Sequence, residues 1–209
     1  MPGEAMDEDE EAEPKAQKSR AVRADAQRSI DALLLAAKAV FATSGVDAPV
    51  REIAERAGVG IGTLYRNFPQ RVDLVAAVFR REIDACADAA PQLAAAYEPV
   101  EALERWIQRY VEFIRTKRGL ASVLHSGSPV LEALPAYFQD RLEPAFRSLV
   151  DAAAASGEIR ADVDCDALLG AIASLSLSAY LNSVETQSMV GLLVDGLRFG
   201  AAGKDSGTD

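Results

Sequence analysis

Residues 50–71 read VREIAERAGVGIGTLYRNFPQR, and the rest of the chain is organised around them. Apolar residues recur at helical spacing up to Gly58, which predicts a helix end because the left-handed conformation is cheap only for glycine. A second short helix is predicted over residues 61–67, with Leu64 and Phe68 facing inward. Two short helices locked by apolar side chains across a tight turn form a helix-turn-helix, whose second helix is free to enter the major groove of DNA.

Helical periodicity continues on both sides of this stretch. An amphipathic helix is predicted over residues 25–43, closed by Gly45, and another over residues 71–89. The segment from Pro91 to Pro99 is predicted to be a junction. Further helices are predicted over residues 100–117, 120–126, 136–156, 166–182 and 186–201. No alternating run favours a strand, so the predicted fold class is all-α.

The chain is expected to divide into four parts. Residues 1–24 carry much charge and almost no apolar periodicity, which predicts a disordered tail, first acidic and then basic. Residues 25–80 are predicted to form an N-terminal three-helix domain that contains the helix-turn-helix and binds DNA. Residues 81–202 are predicted to form a larger C-terminal helical domain, and residues 203–209 a flexible tail.

The distribution of charge supports a contact with nucleic acid. The 209-residue chain has a formal net charge of −10, which argues at first against DNA. Residues 14–81, however, carry twelve basic and six acidic side chains, whereas residues 82–209 carry ten basic and nineteen acidic ones. A basic segment on an acidic body is typical of nucleic-acid-binding proteins. The alternative is a solvated surface on which the charges segregate by chance.

Catalytic, metal-binding and membrane functions are not expected. Cys86 and Cys165 match no metal or redox spacing, so they are predicted to be buried, idle thiols, and no cofactor is expected. With His125 as its single histidine, the chain offers no serine-histidine-aspartate grouping, so an enzyme is not expected. An acidic, polar N-terminus and the lack of an apolar run of about 18 residues predict a cytoplasmic protein without a membrane partner.

The helix-turn-helix resembles a known family in both spacing and residue type. The matching positions are Phe41-Ala42, Gly45, Arg51-Glu52-Ile53-Ala54, Ala57-Gly58-Val59, Gly62-Thr63-Leu64-Tyr65, Phe68-Pro69, Arg71 and Leu74. Over roughly residues 25–80 the chain is similar to the N-terminal domain of TetR-family transcriptional regulators. The resemblance implies a homodimeric, usually repressing regulator of double-stranded DNA, whose C-terminal helical domain dimerises and binds a small-molecule effector.

Two positions depart from the family pattern. Family members often carry Thr or Ser where this chain has Ala48-Pro49, so a hydroxyl that caps the helix and touches phosphate is missing. At the start of the recognition helix, Gly60-Ile61 stands where a polar residue is common. This pair offers backbone N–H groups and an apolar contact, for example to a thymine methyl group.

The resemblance also implies roles for side chains at the DNA surface. Tyr65 corresponds to a tyrosine that contacts phosphate, and Thr63 lies where a base or a phosphate is contacted. Arg66 and Asn67 correspond to variable polar positions that face the groove. The remaining expected DNA contacts are Arg51 to a base or the backbone, Arg71 to a phosphate, and Gly60, Ile61 and Gly62 at the start of the second helix. As alternatives, Tyr65 packs on the domain, Arg51 and Arg71 are solvated charges, and Arg66 and Asn67 miss the bases.

Aromatic residues in the C-terminal domain favour a ligand cavity between its helices. Trp106, Tyr110 and Phe113 share one helical face, and Phe138 and Phe146 share another. Tyr and Trp give an apolar wall a polar handle, and helical bundles hold ligands between their helices. The expected lining is Trp106, Tyr110, Phe113, Leu124, His125, Tyr137, Phe138 and Phe146. The alternative is that these residues form an ordinary core.

The last two helices are too apolar all round to be a solvated surface. The resemblance implies that they pair with their counterparts across a twofold axis to form a four-helix interface. The expected interface residues are Leu168, Ile172, Leu175, Met189, Leu193 and Leu197. The alternative is burial within one subunit.

These expectations favour a repressor that leaves a pseudo-palindromic operator when an effector binds the C-terminal domain. The helix over residues 71–89 joins the two domains and is the expected lever between them. The alternative is an effector-independent DNA-binding regulator or scaffold that acts with a protein partner and needs no cavity.

Overall fold

The computed structural model describes residues 12–116, 128–178 and 180–198. All regular secondary structure in these ranges is helical, which confirms the all-α fold class. The helices are α1 (Ala12–Ser44), α2 (Val50–Ala57), α3 (Ile61–Asn67), α4 (Arg71–Ala87), α5 (Ala89–Ala96), α6 (Pro99–Thr116), α7 (Pro129–Glu132), α8 (Leu134–Ala155), α9 (Cys165–Leu177) and α10 (Ser183–Arg198). Within the same ranges, every helix is too short or too polar to span a membrane.

The chain divides into two compact units, Met1–Leu74 and Val75–Asp209. The sequence predicts this boundary after residue 80. Because the observed boundary follows Leu74, α4 begins in the first unit and continues in the second. In the first unit α1 packs on α2, and α2 packs on α3. α1 gives way to a turn at Gly45 (φ 79°), and α2 ends at Gly58 (φ 68°). Both glycines adopt the left-handed conformation that side chains disfavour.

Helix α1 begins at Ala12, whereas the apolar pattern predicts a disordered tail up to residue 24. Residues 12–24 are rich in alanine, glutamate, lysine, glutamine and arginine, which have high intrinsic helix propensity. The helix is therefore favoured there by propensity and needs no apolar stripe. The acidic residues 1–11, the helix predicted over 120–126 and the tail over 203–209 lie outside the described residues.

Helix α5 occupies the segment that the sequence predicts to be a junction. Its Pro91 lies in the first turn, where a missing N–H breaks no bond of the helix. Alanines fill most of the remaining positions, and the helix closes with the backbone N–H of Tyr97 donating to the oxygen of Leu93 at 3.0 Å. The two prolines that bound this segment therefore mark helix starts, because α6 begins at Pro99.

The core of the second unit is centred on Trp106 of α6, which is fully buried. Its ring stacks on Tyr110 and Phe146, with centroid distances of 5.5 and 5.3 Å. The indole Nε1 donates to the backbone oxygen of Cys86 at 2.9 Å, so the polar atom of this side chain is satisfied. Cys86 and Cys165 are buried, as predicted, and form no disulfide, and burial raises the pKa of Cys165. Helix α6 contacts α5, α8 and α9 and is the central element of the unit.

Candidate nucleic-acid interface and ligand cavity

The helix-turn-helix is closed by backbone hydrogen bonds and by an apolar lock. The N–H of Val59 donates to the oxygen of Ala54 at 3.0 Å, which fixes the chain as it leaves α2. Ile53 of α2 and Leu64 of α3 are fully buried, and Phe68 is buried at the end of α3. These contacts fix the orientation of α3 against α2, because a buried apolar side chain on each helix excludes rotation of one about the other.

The opposite face of α3 is open to solvent. Tyr65 keeps 50% of its surface exposed and Ile61 keeps 39%, which is unusual for such large side chains in a short, well-packed domain. Arg66 is exposed beside them, and Thr63 is half-buried near the start of the helix. Gly60, Gly62 and Arg51 are also exposed. These candidate DNA-contacting residues are therefore accessible, Thr63 only in part.

Arg71 has a structural role that the sequence does not predict. Its Nη1 donates to the backbone oxygens of Val46 and Ala48, at 2.5 and 2.7 Å. The half-buried guanidinium thus ties the start of α4 to the loop that leads into α2, a segment more than twenty residues earlier. The expected phosphate contact of Arg71 competes with this internal use, and no local sequence pattern signals the pairing.

Asn67 is also partly engaged within the unit. Its Nδ2 donates to the backbone oxygen of Thr63 at 2.8 Å, one turn earlier in α3, and the residue is half-buried. A donor that already has an acceptor inside its own helix is less available for a base edge. Arg66 is therefore the better placed of the two neighbouring candidates for base contact.

A cavity of about 420 Å³ opens within the second unit, within the size range of small-molecule sites. Four polar side chains, Tyr110, Gln139, Glu143 and Asp166, interrupt a wall that is otherwise apolar. The remaining lining residues are Phe79, Ile83, Ile114, Leu134, Pro135, Phe138, Leu169, Gly170, Ala173 and Leu177. Burial strongly raises the pKa of Tyr110, so its hydroxyl is neutral at physiological pH.

The sequence identifies part of this lining. Tyr110 and Phe138 face the cavity as expected, while Leu124 and His125 lie outside the described residues. Trp106, Phe113, Tyr137 and Phe146 do not line it. Trp106 and Phe146 are fully buried in the ring stack, so for them the alternative of an ordinary core holds. The lining residues that the sequence does not predict come mainly from α8 and α9, and their residue types do not distinguish a ligand site from a core.

A polar cluster joins α4 to α8 beside the cavity, and we call it the Asp84 clamp. Tyr137 Oη and Arg141 Nε both donate to Asp84 Oδ1, at 2.6 and 2.8 Å. Arg141 Nη2 also donates to Asp88 Oδ1 at 2.9 Å, and the guanidinium of Arg80 lies 5.9 Å from the centre of the Tyr137 ring. The hydrogen bond to Asp84 is the main cause that raises the pKa of Tyr137, while the nearby Arg141 cation opposes it.

The six residues expected at a dimer interface are distributed unequally between the inside and the surface. Leu168, Ile172 and Leu197 are buried within the subunit itself, Leu175 and Leu193 are half-buried, and Met189 is exposed. Four further apolar or aromatic side chains of the same region are strongly exposed: Leu177, Tyr180, Val184 and Leu192. Tyr180 keeps 95% of its surface and Val184 keeps 74%, so this region offers an apolar surface different from the expected one.

Comparisons with known proteins agree with both units. Residues 33–78 match the family described as bacterial regulatory proteins of the tetR family, and residues 98–199 match the C-terminal domain of SbtR-like transcriptional regulators. A TetR transcriptional regulator from Streptomyces coelicolor is 36% identical, with 81% of this chain and 98% of the other covered and a TM-score of 0.71. The comparison with curated proteins found no match.

Two further solved structures extend this comparison. A TetR regulator from Mycobacterium vanbaalenii is 34% identical over 85% of this chain and 99% of its own, with a TM-score of 0.70. The TetR-like regulator LfrR from Mycobacterium smegmatis, solved in complex with proflavine, is 21% identical over 81% of this chain and 95% of its own, with a TM-score of 0.60. This third likeness shows the fold alone.

The locked helix pair with an open outer face defines a helix-turn-helix DNA-binding regulator. With both family matches and two relatives above 30% identity, the chain belongs to the TetR family of transcriptional regulators.

Proposed function

We propose that the protein is a homodimeric repressor that leaves a pseudo-palindromic operator when a small molecule occupies the cavity of the second unit. The observation that carries this proposal is the composition of the cavity wall, because Phe79 and Ile83 on that wall belong to α4. The same helix begins with Arg71, which is bonded to the loop before α2. One helix therefore contacts both the effector and the DNA-binding unit.

In the proposed complex, the open face of α3 enters the major groove. Tyr65 donates its hydroxyl to a phosphate, Arg66 reads a base edge, and Ile61 makes an apolar contact at the start of the helix. Arg51 adds a base or backbone contact, and Arg71 is a positioning residue for the loop before α2. Phosphate contacts set the register on the duplex, whereas base contacts select the sequence.

The proposed dimer uses the exposed apolar surface at the end of α9 and along α10. Its members are Leu177, Tyr180, Val184, Met189 and Leu192. A twofold axis makes such a patch self-complementary, because the same residues meet from both subunits. Two recognition helices related by that axis read half-sites about 34–36 Å apart or somewhat more on one face of the duplex.

Through the Asp84 clamp, the proposed effector acts on the position of α4. Leu134 and Phe138 of α8 line the cavity together with Phe79 and Ile83 of α4, and the clamp bonds the same two helices. An occupant that favours one spacing of α4 and α8 thereby selects one position of α4. It shifts the equilibrium only by its difference in affinity for the two arrangements. The complex of LfrR with proflavine supports the view that this fold accommodates a small aromatic molecule.

Selection from a random duplex library at low ionic strength tests the DNA-binding part. We expect a pseudo-palindrome for the wild type, and for Arg66→Ala a loss of preference at one position per half-site, worth about 1–3 kcal/mol. Tyr65→Phe is expected to weaken binding to all DNA sequences alike. Arg109→Ala, an exposed arginine of the second unit, is the matched control for lost charge. An unchanged motif in Arg66→Ala argues against base reading, and no enriched palindrome argues against the whole assignment.

Thermal shift with a metabolite library, in the presence and absence of the selected duplex, tests effector release. A compound that raises the melting temperature of the free protein is expected to lower its affinity for DNA. If a compound stabilises the free and the DNA-bound protein to the same extent, the result favours the effector-independent regulator.

A further inference from the structure

Among the described residues that line the cavity, the charged side chains are all acidic. Glu143 of α8 and Asp166 of α9 both line it, and no Lys, Arg or His is among its described lining residues. The other described lining residues are apolar or uncharged, so an occupant meets two carboxylates on an otherwise apolar wall. Such surroundings favour cations over anions, because an anion of the ligand would be desolvated beside like charges.

The two carboxylates differ in how far they are already neutralised. Asp166 Oδ1 accepts from Arg147 Nη2 at 3.2 Å, and its side chain remains largely exposed. Glu143 is half-buried, and no other described residue forms a hydrogen bond or ion pair with it. Among the described residues, Glu143 is therefore the carboxylate of the wall without a bonded partner, and a bound cation would supply one.

Aromatic rings stand on the same wall. Tyr110 and Phe138 have ring centroids 6.1 Å apart, and Phe79 adds a third ring. Ring faces attract a cation within about 6 Å of the centroid, and they also pack against the apolar body of a ligand. Carboxylate and rings together fit one molecule with two parts, a charged group and an apolar or aromatic body.

We propose that the cavity takes an organic monocation with an aromatic or apolar body and places its charged group against Glu143. The regulatory meaning of this inference rests on the proposed function, whereas the ligand class does not. A permanently charged ammonium group satisfies the carboxylate, and the apolar body fills the space between α4, α8 and α9. A neutral ligand of the same shape leaves Glu143 without a partner, and an anionic one is repelled.

Isothermal titration calorimetry with three probes that share one naphthalene body and differ in their head group tests the ligand class. The probes are (2-naphthylmethyl)trimethylammonium, 2-naphthylmethanol and 2-naphthylacetate. We expect the cation to bind at least roughly tenfold more tightly than the alcohol, a factor that corresponds to about 1.4 kcal/mol, and the acetate to bind most weakly. Glu143→Gln is expected to lower the affinity for the cation to that for the alcohol, while the affinity for the alcohol stays unchanged. Glu143→Asp, which keeps the charge, is expected to restore part of the preference.

Asp140→Asn is the matched control, because Asp140 is an exposed acid on the same helix that does not line the cavity. It is expected to leave all three affinities unchanged, and circular dichroism of each variant checks the fold. The inference is overturned if the cation does not bind, if the alcohol or acetate binds as tightly, or if Glu143→Gln keeps the preference for the cation.

A titration of the selected DNA duplex with each probe separates this inference from the proposed function. If the cation binds in the expected order but leaves DNA affinity unchanged, the ligand class stands and effector release fails. If the alcohol or the acetate binds most tightly and also releases DNA, effector release stands and the ligand class fails.

Discussion

The two units of this protein use their aromatic and cationic side chains in opposite ways. In the first unit the ring of Tyr65 is half exposed and Arg66 projects into solvent, whereas in the second unit Trp106 is fully buried and stacks on two other rings. The helix-turn-helix of the first unit buries few side chains and presents polar groups to solvent. The second unit buries its rings and keeps an internal space beside them.

The comparison separates residues that serve a partner from residues that serve the fold. Exposed side chains such as Tyr65 and Arg66 contribute little to the stability of the domain, so their substitution is expected to affect contacts with a partner more than folding. Rings that are buried away from the cavity, such as Trp106, contribute to the free energy of unfolding and contact no partner. Substitutions of the two kinds of residue are therefore expected to affect different measurements, and three pairs of substitutions test this difference.

Truncation of one aromatic side chain in each unit gives the largest contrast. Trp106→Ala is expected to lower the free energy of unfolding by about 3–5 kcal/mol, because it removes a buried ring and leaves a void. Tyr65→Ala is expected to change stability by less than about 0.5 kcal/mol while it weakens DNA binding. Urea unfolding followed by circular dichroism measures the first effect, and a DNA titration measures the second. A cost below about 1 kcal/mol for Trp106→Ala would contradict a central role of this ring.

The same contrast explains how much of the molecule is predictable from its sequence. The helix-turn-helix depends on Gly58, Leu64 and Phe68, which lie within a few turns of one another, so periodicity and a left-handed glycine are sufficient to identify it. The cavity depends on side chains from α4, α6, α8 and α9 that meet only in the fold. Periodicity indicates that Trp106 and Tyr110 share the inner face of α6. It does not indicate that Trp106 is enclosed in the ring stack while Tyr110 both stacks on it and lines the cavity.

Two other misses have different physical causes. Helix α1 starts at Ala12 because residues of high helix propensity extend beyond its apolar stripe. The apolar stripe alone predicts a later start. The role of Arg71 reflects a hydrogen bond to backbone oxygens, and backbone acceptors carry no signature in the sequence. Long-range backbone contacts of this kind escape any pattern of residue types.

Substitution of Arg71 tests whether a cation of the first unit serves the fold. Arg71→Met is expected to cost about 1.5–3 kcal/mol of stability, because two carbonyl oxygens lose a charged donor. Arg66→Met is the matched control and is expected to leave stability unchanged while it weakens DNA binding. Thermal unfolding of both variants, with DNA titrations at several salt concentrations, measures these effects. If Arg71→Met is as stable as the wild type and instead lowers the salt dependence of binding by about one charge, Arg71 is a phosphate contact.

The smallest effect is expected at the Asp84 clamp, where a polar contact lies beside the cavity. Tyr137→Phe removes one hydrogen bond to Asp84 and is expected to cost about 0.5–1 kcal/mol, since Arg141 continues to hold the carboxylate. Tyr65→Phe is the control, because half of that side chain is exposed and the experiment contains no DNA. Urea unfolding at a series of pH values gives the measurement.

The pH series distinguishes a hydrogen bond from simple packing of the Tyr137 ring. A raised pKa means that the folded state favours the protonated phenol, so the stabilisation is complete below the ordinary tyrosine pKa of about 10 and is lost as the pH rises through the raised value. The stability difference between wild type and Tyr137→Phe is therefore expected to be constant near neutral pH and to shrink above pH 10. No stability difference between wild type and Tyr137→Phe at neutral pH would mean that the ring, which the variant keeps, and not the hydroxyl, joins α8 to α4. The second unit would then use this aromatic residue as it uses Trp106.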